Sequence, residues 1–270
     1  MSLLSAFRNN LEPAIFDELR AKYGAELKEY WDSAVFPKEA KNTVLLVERR
    51  AHPNIEFVLH NFMYFCRGFS LTVVCSDENL DYVKGIVGDH TATIMPLFKG
   101  EADKETGIRE YNQLMTDAEF YKKIPAEYIL SMQTDSYLRR PLPEMLWEYE
   151  YIACPWGWKK HFVGGGGLTF RNRECVIDIC EKSTRSKKHE DVFFSESCFI
   201  MKKKVLPIEL RETIFSESCF TDDPVGVHQW WTYLPEAIKS NDNSFFDKYY
   251  KIYMVIQTHE YCCDPPHNKL

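Results

Sequence analysis

The sequence has no long uncharged hydrophobic run. Its longest uncharged apolar stretch extends from Phe57 to Cys66, whereas a helix that crosses a membrane needs about 20 such residues. Near the N-terminus, the charged residues Arg8 and Glu12 appear before any apolar segment develops, which is not typical of a secretory signal peptide. We therefore expect a cytoplasmic protein with no membrane span.

The chain also lacks a surplus of basic residues. Asp and Glu total 40 against 33 Lys and Arg, so the net charge is −7 at pH 7. Because an acidic protein is repelled by phosphate backbones, nucleic acid is not an expected partner. The 270 residues are 45% hydrophobic and 27% charged, which is typical of a globular protein with a sizeable core.

Regular cysteine spacing is absent. The nine cysteines are odd in number and scattered along the chain, which argues against a disulfide framework, so we expect reduced and mostly buried thiols. One group of side chains could hold zinc: His259, Cys262, Cys263 and His267. Its adjacent cysteines do not fit the usual ligand spacings, which disfavours a zinc site there.

One short repeat is present. The hexamer Phe-Ser-Glu-Ser-Cys-Phe occurs at residues 194–199 and again at 215–220. Repeat folds need at least about three units, and the sequence around the two copies differs. We therefore interpret the match as coincidence.

Short apolar runs alternate with helical patterns through the first half of the chain. Runs typical of buried strands occur at residues 43–47, 71–75, 91–95 and 128–132. This alternation predicts an α/β fold with a mainly parallel central sheet flanked by helices. Residues 1–40 have apolar positions at helical spacing, which predicts two short amphipathic helices in an N-terminal cap.

Polar residues that directly follow these runs are candidates for binding, because the ligands of such sheets collect beyond the carboxyl ends of the strands. The candidates are Glu48, Arg49, Asp77, Thr134 and Asp135. Asp135 could bridge a hard divalent cation to a diphosphate. It could also cap the turn that follows, and for an isolated Asp this structural role is the commoner one.

Three features of the second half could carry chemistry. The four glycines Gly164–Gly167 precede an apolar strand, where they could let the backbone approach a ligand or form a flexible hairpin loop. Glu190 and Asp191 begin a predicted helix, where acids stabilise the helix dipole or could act as a general base. His228 enters a predicted helix and could bind a metal or pack in the core.

In their order along the chain, these segments resemble a glycosyltransferase-like family known only as a domain of unknown function. The family's motifs QTDS, YIGAPW, GNGGLSLRNR and EDVFFS are similar to segments 133–136, 151–156, 164–173 and 190–195, and a Gly-Val-His sequence follows at 226–228. Cys154 and Gly165 depart from the quoted motifs. The resemblance extends over residues 43–231.

That family in turn resembles nucleotide-sugar transferases of the GT-A fold. The resemblance implies a GT-A-like (Rossmann-like) catalytic domain at residues 41–235 and a C-terminal tail at 236–270 that packs on it. It also implies that Asp135 is the last acid of a metal-binding DxD motif, with Gln133 where the first acid usually stands. His228 would be the second ligand of Mn²⁺ or Mg²⁺.

The same resemblance implies roles for the other candidates. Asp191 would be the catalytic base, and Glu190 would orient the acceptor with the glycine segment. The expected contacts to the donor are Glu48, Arg49, Asp77, Thr134, Gly164, Gly165, Gly166 and Trp156. For Trp156 and Trp158, packing in the core or in a lid is at least as common as stacking on a sugar ring.

The expected function is metal-dependent transfer of a sugar from a nucleoside diphosphate sugar, of the UDP type, to a glycan or other hydroxyl acceptor, with inversion. Gln133 motivates an alternative, a non-catalytic nucleotide- or carbohydrate-binding protein on the same scaffold. Nucleotidyl transfer onto a sugar phosphate is a third hypothesis, but its glycine-rich signature would follow the first strand, where this chain has Glu48-Arg49-Arg50.

Overall fold

The computed structural model describes residues 3–100, 102–159, 162–184, 189–233 and 243–258. Its helices are α1 (Leu3–Ser33), α2 (Ile55–Phe65), α3 (Leu80–Val87), α4 (Lys104–Met115), α5 (Ala118–Lys122), α6 (Arg173–Lys182), α7 (Glu190–Ile200), α8 (Ile208–Ile214) and α9 (Asn243–Tyr253). Its strands are β1 (Asn42–Val47), β2 (Ser70–Ser76), β3 (Thr93–Phe98), β4 (Tyr128–Met132), β5 (Ser136–Leu138), β6 (Tyr151–Cys154), β7 (Gly165–Asn172), β8 (Phe215–Ser216) and β9 (Gly226–His228). Short 3-10 helices span Glu144–Glu148 and Trp230–Thr232.

Six strands form the central sheet in the order β3-β2-β1-β4-β7-β6. β1 pairs in parallel with β2 and β4, and β2 pairs in parallel with β3. β7 runs antiparallel to both β4 and β6. The predicted α/β class with a mixed, mainly parallel central sheet flanked by helices is therefore confirmed.

Alternate residues of β1 enter two different hydrophobic cores. Val44 and Leu46 pack with residues of α1 and α2 on one face of the sheet. Leu45 and Val47 pack with residues of α5, α6 and α7 on the other face. Because successive side chains of a strand face opposite sides of a sheet, helices on both faces explain why the whole run is apolar.

A second sheet of three strands lies at the end of β4. Its order is β5-β9-β8, and β5 runs antiparallel to β9 with Ser136 opposite His228. A tight turn connects β4 to β5, in which the hydroxyl of Ser136 donates to the carbonyl of Gln133 at 2.7 Å. This pairing brings the turn after β4 next to the end of β9.

The N-terminal region differs from the prediction of two short helices. One continuous helix, α1, covers Leu3–Ser33 with Pro13 inside it. Its residues Ile15, Phe16, Leu19 and Leu27 are buried in the core that covers one face of the sheet. Burial of one apolar stripe along the helix favours continuity, since most helical stability in proteins comes from such packing.

The glycine segment and His228 also lie in elements other than those expected. Gly165–Gly167 form the buried start of β7, so of the two interpretations of this segment the flexible hairpin loop is wrong. Gly165 pairs with Cys154 of β6, and the pairing of β7 with β4 begins at Leu168. His228 ends β9 instead of entering a helix, because pairing with β5 keeps it extended.

The described cysteines agree with the expectation of buried thiols. No disulfide joins the seven cysteines of these ranges, and six of the seven are buried. The possible zinc group at residues 259–267 lies outside the described residues. Of the predicted C-terminal tail, α9 packs on the core through Tyr253, whose carbonyl accepts the hydroxyl of Tyr137 at 3.0 Å.

Among the residues that the structure describes, no helix combines the length and apolar content needed to cross a bilayer.

Candidate metal and acid cluster

The two residues predicted as metal ligands meet between the turn after β4 and the end of β9. Nε2 of His228 is 3.2 Å from Oδ1 of Asp135. The N–H of Gln229 donates to the carbonyl of Asp135 at 2.9 Å, which ties the two segments together. Residues distant in the chain therefore converge at the carboxyl end of the parallel strands, where ligands of such sheets bind.

Glu217 lies on the other side of the same imidazole. Its Oε2 is 3.4 Å from Nδ1 of His228, and its Oε1 accepts the hydroxyl of Tyr233 at 2.9 Å. Sequence reasoning missed Glu217, although it lies in the second copy of the repeated hexamer. The available signal was an acid inside an apolar segment, because a buried carboxylate is costly unless it is paired.

The charges of these three groups are coupled. Burial alone lowers the pKa of an imidazole, but the negative charges of Asp135 and Glu217 outweigh burial and raise the pKa of His228 to about 10. For Asp135, burial alone would raise the pKa. The positive charge of His228 outweighs burial and holds that pKa below its ordinary value. The two carboxylates thus favour a positive charge between them, either from a proton on the imidazole or from a cation bound at Nε2.

The facing atoms are close, but they do not satisfy one another as hydrogen bonds. Within the part of the chain that the structure describes, Asp135 Oδ1, Glu217 Oε2 and both ring nitrogens of His228 are buried without a well-aligned partner. Buried polar atoms are normally paired, so this group of orphaned atoms suits a shared cation. Carboxylate oxygen suits Mn²⁺ and Mg²⁺, and the imidazole nitrogen favours the transition metal. Asp135 and His228 therefore fit the predicted ion.

A second possible ligand set shares His228. Ligand atoms of Cys154, Glu217 and His228 lie within 4.8 Å of one another, and all three residues are buried. Burial raises the pKa of the Cys154 thiol well above its ordinary value. The thiol donates to the carbonyl of Leu168, with the sulfur 3.7 Å from the oxygen. Because Mn²⁺ and Mg²⁺ prefer oxygen ligands and thiolates select softer metals, Cys154 is a poor ligand for the predicted ion.

Three successive glycines of β7 make room for these side chains. A Cβ built on Gly165, Gly166 and Gly167 would lie 2.7 Å from Glu217, 1.7 Å from Glu190 and 2.0 Å from His228, respectively. Since side chains alternate along a strand, Glu217 and His228 face one side of β7 and Glu190 faces the other. The glycines thus admit side chains of this chain to both faces of the strand.

Gly164 has a backbone role. Its φ is +133°, and a Cβ there would lie 1.8 Å from the carbonyl oxygen of Cys154, so only glycine fits. The expected donor contacts of Gly164, Gly165 and Gly166 stay predictions.

Glu190 and Asp191 begin α7, where it packs on β7. Glu190 is 3% exposed, its Oε2 is 3.4 Å from Nη2 of Arg171, and burial raises its pKa to about 7. Asp191 is half-buried, and burial, with the charge of Glu217, raises its pKa as well. A raised pKa makes a carboxylate a better proton acceptor. Asp191 is the more accessible acid of the pair.

Helix α1 contributes an acid that sequence reasoning missed. Oε1 of Glu12 accepts the side-chain amide of Asn54 at 3.0 Å and lies 3.6 Å from Nε2 of His52. Burial, followed by the charge of Asp135, raises the pKa of Glu12 to about 7. The same amide donates to the carbonyl of Thr134 at 3.1 Å. In the sequence, Glu12 looks like any solvated acid of an amphipathic helix.

The predicted donor contacts at the end of β1 have partners within the protein. The guanidinium of Arg50 binds the carboxylate of Glu48 at 2.8 and 2.7 Å. Arg49 donates to Glu110 at 2.6 Å and to the carbonyl of Gly100 at 2.9 Å. These contacts hold the β1 edge together, and roles of Glu48 and Arg49 in donor binding stay predictions.

Asp77, which follows β2, bridges two loops. Its Oδ1 accepts the N–H of Gly100 at 2.7 Å, and its side chain stays 43% exposed. Thr134 is buried beside Asp135. Contacts of Asp77 and Thr134 with a donor also stay predictions.

Trp156 packs against an exposed aromatic ring, that of Trp158. Its ring is nearly parallel to that of Trp158, with centroids 6.2 Å apart, and Trp158 is 58% exposed. The ring of Trp158 lies 5.6 Å from that of Tyr233, the residue that donates to Glu217. An exposed aromatic face of this kind can pack against an apolar face of a ligand.

Part of the chain matches the sequence model of a protein family. Residues 100–228 match the sequence model of a family described as "Protein of unknown function (DUF5672)". This range contains the quoted segments from Gln133 to Ser195 and ends at His228. A comparison with curated proteins finds no match.

Two solved structures are similar to part of this chain. The 4-diphosphocytidyl-2C-methyl-D-erythritol synthase of Anaerococcus prevotii is 12% identical, with a TM-score of 0.39, over 63% of this chain and 87% of that one. The glycosyltransferase GlyE of Streptococcus pneumoniae is 11% identical, with a TM-score of 0.42, over 81% of this chain and 66% of that one.

Proposed function

We propose that this chain is a metal-dependent glycosyltransferase that moves a sugar from a nucleoside diphosphate sugar, of the UDP type, to a hydroxyl acceptor. One observation carries the proposal. Asp135 and His228 converge at 3.2 Å where the parallel strands end, and their facing atoms are buried without a well-aligned partner in the described chain. A diphosphate and its cation would meet these atoms at the usual ligand edge of the sheet.

Asp135 and His228 would hold Mn²⁺ or Mg²⁺. When bound, the ion supplies positive charge that stabilises the diphosphate leaving group. The chain's own contribution is to keep both ligands in place. The β5–β9 register and the N–H of Gln229 hold the two segments together, and Gly167 leaves the space that the imidazole occupies.

Asp191 is the proposed base. It accepts the proton of the acceptor hydroxyl while the hydroxyl oxygen bonds to the anomeric carbon of the donor sugar. The bond from that carbon to the diphosphate oxygen breaks, and its electron pair leaves with the diphosphate. Attack from the side opposite the leaving group inverts the anomeric centre. Glu190, held by Arg171, fixes the first turn of α7 and thereby positions Asp191.

The remaining candidates are assigned to substrate binding. Residues at the ends of β1, β2 and β4 would contact the nucleotide: Glu48, Arg49, Asp77 and Thr134. Gly164, Gly165, Gly166 and Trp156 would border the donor sugar. The exposed ring of Trp158 beside Tyr233 would pack against the acceptor, which is consistent with a glycan.

A non-catalytic binding protein is the second candidate, and Gln133 favours it. The side-chain amide of Gln133 donates to the hydroxyl of Tyr111 at 3.1 Å, so this position adds no carboxylate to the cluster. Fewer acidic ligands weaken the hold on a divalent cation. Such a protein would bind UDP with Mn²⁺ and leave the sugar donor intact.

The test measures UDP release from a panel of UDP-sugars with and without Mn²⁺, together with calorimetric titration of UDP. Transfer or slow hydrolysis that needs Mn²⁺ supports the glycosyltransferase. Metal-dependent UDP binding without turnover of any donor supports the binding protein. Failure of UDP to bind at any Mn²⁺ concentration contradicts both.

A further inference from the structure

We propose that Glu217 is a positioning residue that holds His228 with Nε2 directed at the cation. This inference rests on the proposed function, because it assigns the orientation of one of the two metal ligands. With the ion bound, Glu217 would accept the Nδ1–H of the imidazole, whose Nδ1 lies 3.4 Å from Oε2, and the lone pair of Nε2 would be left beside Asp135. Nothing in the sequence motifs points to this residue.

The carboxylate of Glu217 is constrained by several neighbours. Glu217 is 3% exposed, and the hydroxyl of Tyr233 donates to its Oε1 at 2.9 Å. Its Oε2 approaches the backbone of β7 so closely that a Cβ on Gly165 would lie 2.7 Å away. The same oxygen is 3.4 Å from Nδ1 of His228. The contacts around Glu217 therefore keep its carboxylate beside Nδ1.

The chemistry of imidazole then selects one nitrogen as the ligand. A metal-binding histidine offers a lone pair on one ring nitrogen and donates the N–H of the other, commonly to a carboxylate. An ionised carboxylate accepts and cannot donate, so Glu217 selects the form with hydrogen on Nδ1. Nε2, on the opposite side and 3.2 Å from Asp135 Oδ1, is left to bind the ion.

The competing arrangement places a metal on the Nδ1 side, between His228, Glu217 and Cys154. The thiol of Cys154 argues against this arrangement because it lies at donor distance from two carbonyls, those of Leu168 at 3.7 Å and Ser216 at 4.0 Å. A Cys154→Ala variant separates the two arrangements, since only the Nδ1 site needs the sulfur.

The repeated hexamer supplies a matched control. Glu196 occupies in the first copy the place that Glu217 occupies in the second, but it lies in α7. Glu217→Gln and Glu196→Gln remove the same charge from the same local sequence. Electron paramagnetic resonance measures Mn²⁺ affinity in the presence of UDP. This affinity should fall about 10- to 100-fold for Glu217→Gln. Glu196→Gln and Cys154→Ala should each stay within about twofold of the parent chain.

Electron spin-echo modulation supplies a readout that a merely structural role would not move. The parent chain, saturated with Mn²⁺ and UDP, should show coupling to an imidazole nitrogen. Glu217→Gln should lose that coupling even at saturating Mn²⁺. If Glu217→Gln fails to fold, Tyr233→Phe, which removes one hydrogen bond and keeps the carboxylate, should weaken Mn²⁺ binding by a smaller factor.

The outcomes separate this inference from the proposed function. A parent chain that binds no Mn²⁺ with UDP overturns the proposed function. A parent chain that binds Mn²⁺, with the same affinity and nitrogen coupling in Glu217→Gln, overturns the positioning role alone. Loss of Mn²⁺ binding in Cys154→Ala, in a chain that still folds, shows that the metal lies on the Nδ1 side and also overturns it.

Discussion

Two histidines of this protein are buried to nearly the same degree, and their environments shift their pKa values in opposite directions. His60 on α2 is 6% exposed and His228 on β9 is 3% exposed. Burial, with a smaller contribution from the charge of Lys28, lowers the pKa of His60 to about 4. Two carboxylates raise the pKa of His228 to about 10. Burial thus favours the neutral form of His60, whereas the two carboxylates favour a positive charge at His228, from a proton or from a cation bound at Nε2.

The difference shows that depth of burial does not identify a functional histidine. His60 lies against the ring of Trp31, with centroids 4.6 Å apart, and acts as a packing residue. His228 lies between Asp135 and Glu217, and its two ring nitrogens are left without well-aligned hydrogen bonds in the described chain. Burying a polar or charged group without well-aligned partners costs free energy. Such a group is therefore expected where it serves a function or has a compensating charge.

We expect the largest effect from removal of the Asp135 carboxylate, which lies beside His228. We expect Asp135→Ala to abolish sugar transfer and to weaken Mn²⁺-dependent UDP binding by about 100-fold or more, because it removes a metal ligand. His60→Phe, which changes the other buried histidine, should leave that binding within about twofold. Calorimetric titration of UDP with Mn²⁺ measures both. Undiminished binding by Asp135→Ala would place the ion elsewhere.

The acid at the start of α7 tests whether chemistry and binding can be separated. Asp191→Asn should lower kcat by about 100- to 10,000-fold, the usual range for a lost general base. UDP and Mn²⁺ binding should be unchanged, since Asp191 is assigned no contact with the ion. Steady-state rates together with calorimetry check both statements. Full activity in Asp191→Asn would exclude it as the base and favour a retaining mechanism without a protein base.

The glycine beneath His228 tests how tightly the imidazole is held. Gly167→Ala would put a Cβ 2.0 Å from Nε2 of His228, so we expect a loss of about 1–3 kcal/mol in unfolding free energy from overpacking. Mn²⁺ affinity should fall as well. Gly85→Ala on α3 is the matched control, because no atom lies within 4 Å of its added Cβ.

Urea unfolding of the two alanine variants gives the comparison. Gly85→Ala should be as stable as the parent or more stable by up to about 1 kcal/mol, since alanine favours the helix. Equal stability of Gly167→Ala and Gly85→Ala would mean that β7 does not confine the imidazole.

The pH dependence of the unfolding free energy tests the environment of His60, and here we expect the smallest effect. Because the folded-state pKa of His60 is lowered from 6.5 to about 4, the unfolded chain takes up the proton first as the pH falls. The stabilising contribution is therefore present above pH 6.5 and is lost towards pH 4. Between pH 7 and pH 5 this loss should be about 1–2 kcal/mol. In urea unfolding His60→Phe should show a flatter pH dependence over this range, and an unchanged slope would contradict the assignment.

The sheet could be predicted from the sequence because its signals are local. Strand β4 at Tyr128–Met132 has the predicted bounds, since a continuous apolar run is a property of neighbouring residues. The start of β7 was missed because four glycines have no apolar pattern. Only the side chains that pack against Gly165–Gly167 explain why a buried strand begins there.

The cluster could be predicted only in part. Asp135 and His228 were identified from the order of motifs, whose resemblance to a known family compensates for their distance in the chain. Glu217 and Glu12 were missed, because their places depend on tertiary structure. β8 pairs in parallel with β9, and α1 packs on α2. Neither arrangement leaves a spacing in the sequence that identifies an acid as part of a site.

The most direct test of a cation between Asp135 and His228 is an anomalous difference map of crystals grown with Mn²⁺ and UDP, collected at the manganese absorption edge. We predict one peak within bonding distance of Asp135 Oδ1 and His228 Nε2, with UDP phosphate oxygens completing the coordination. A peak bounded by Cys154, Glu217 and Nδ1 of His228, or a bound UDP without any peak, would contradict the central claim.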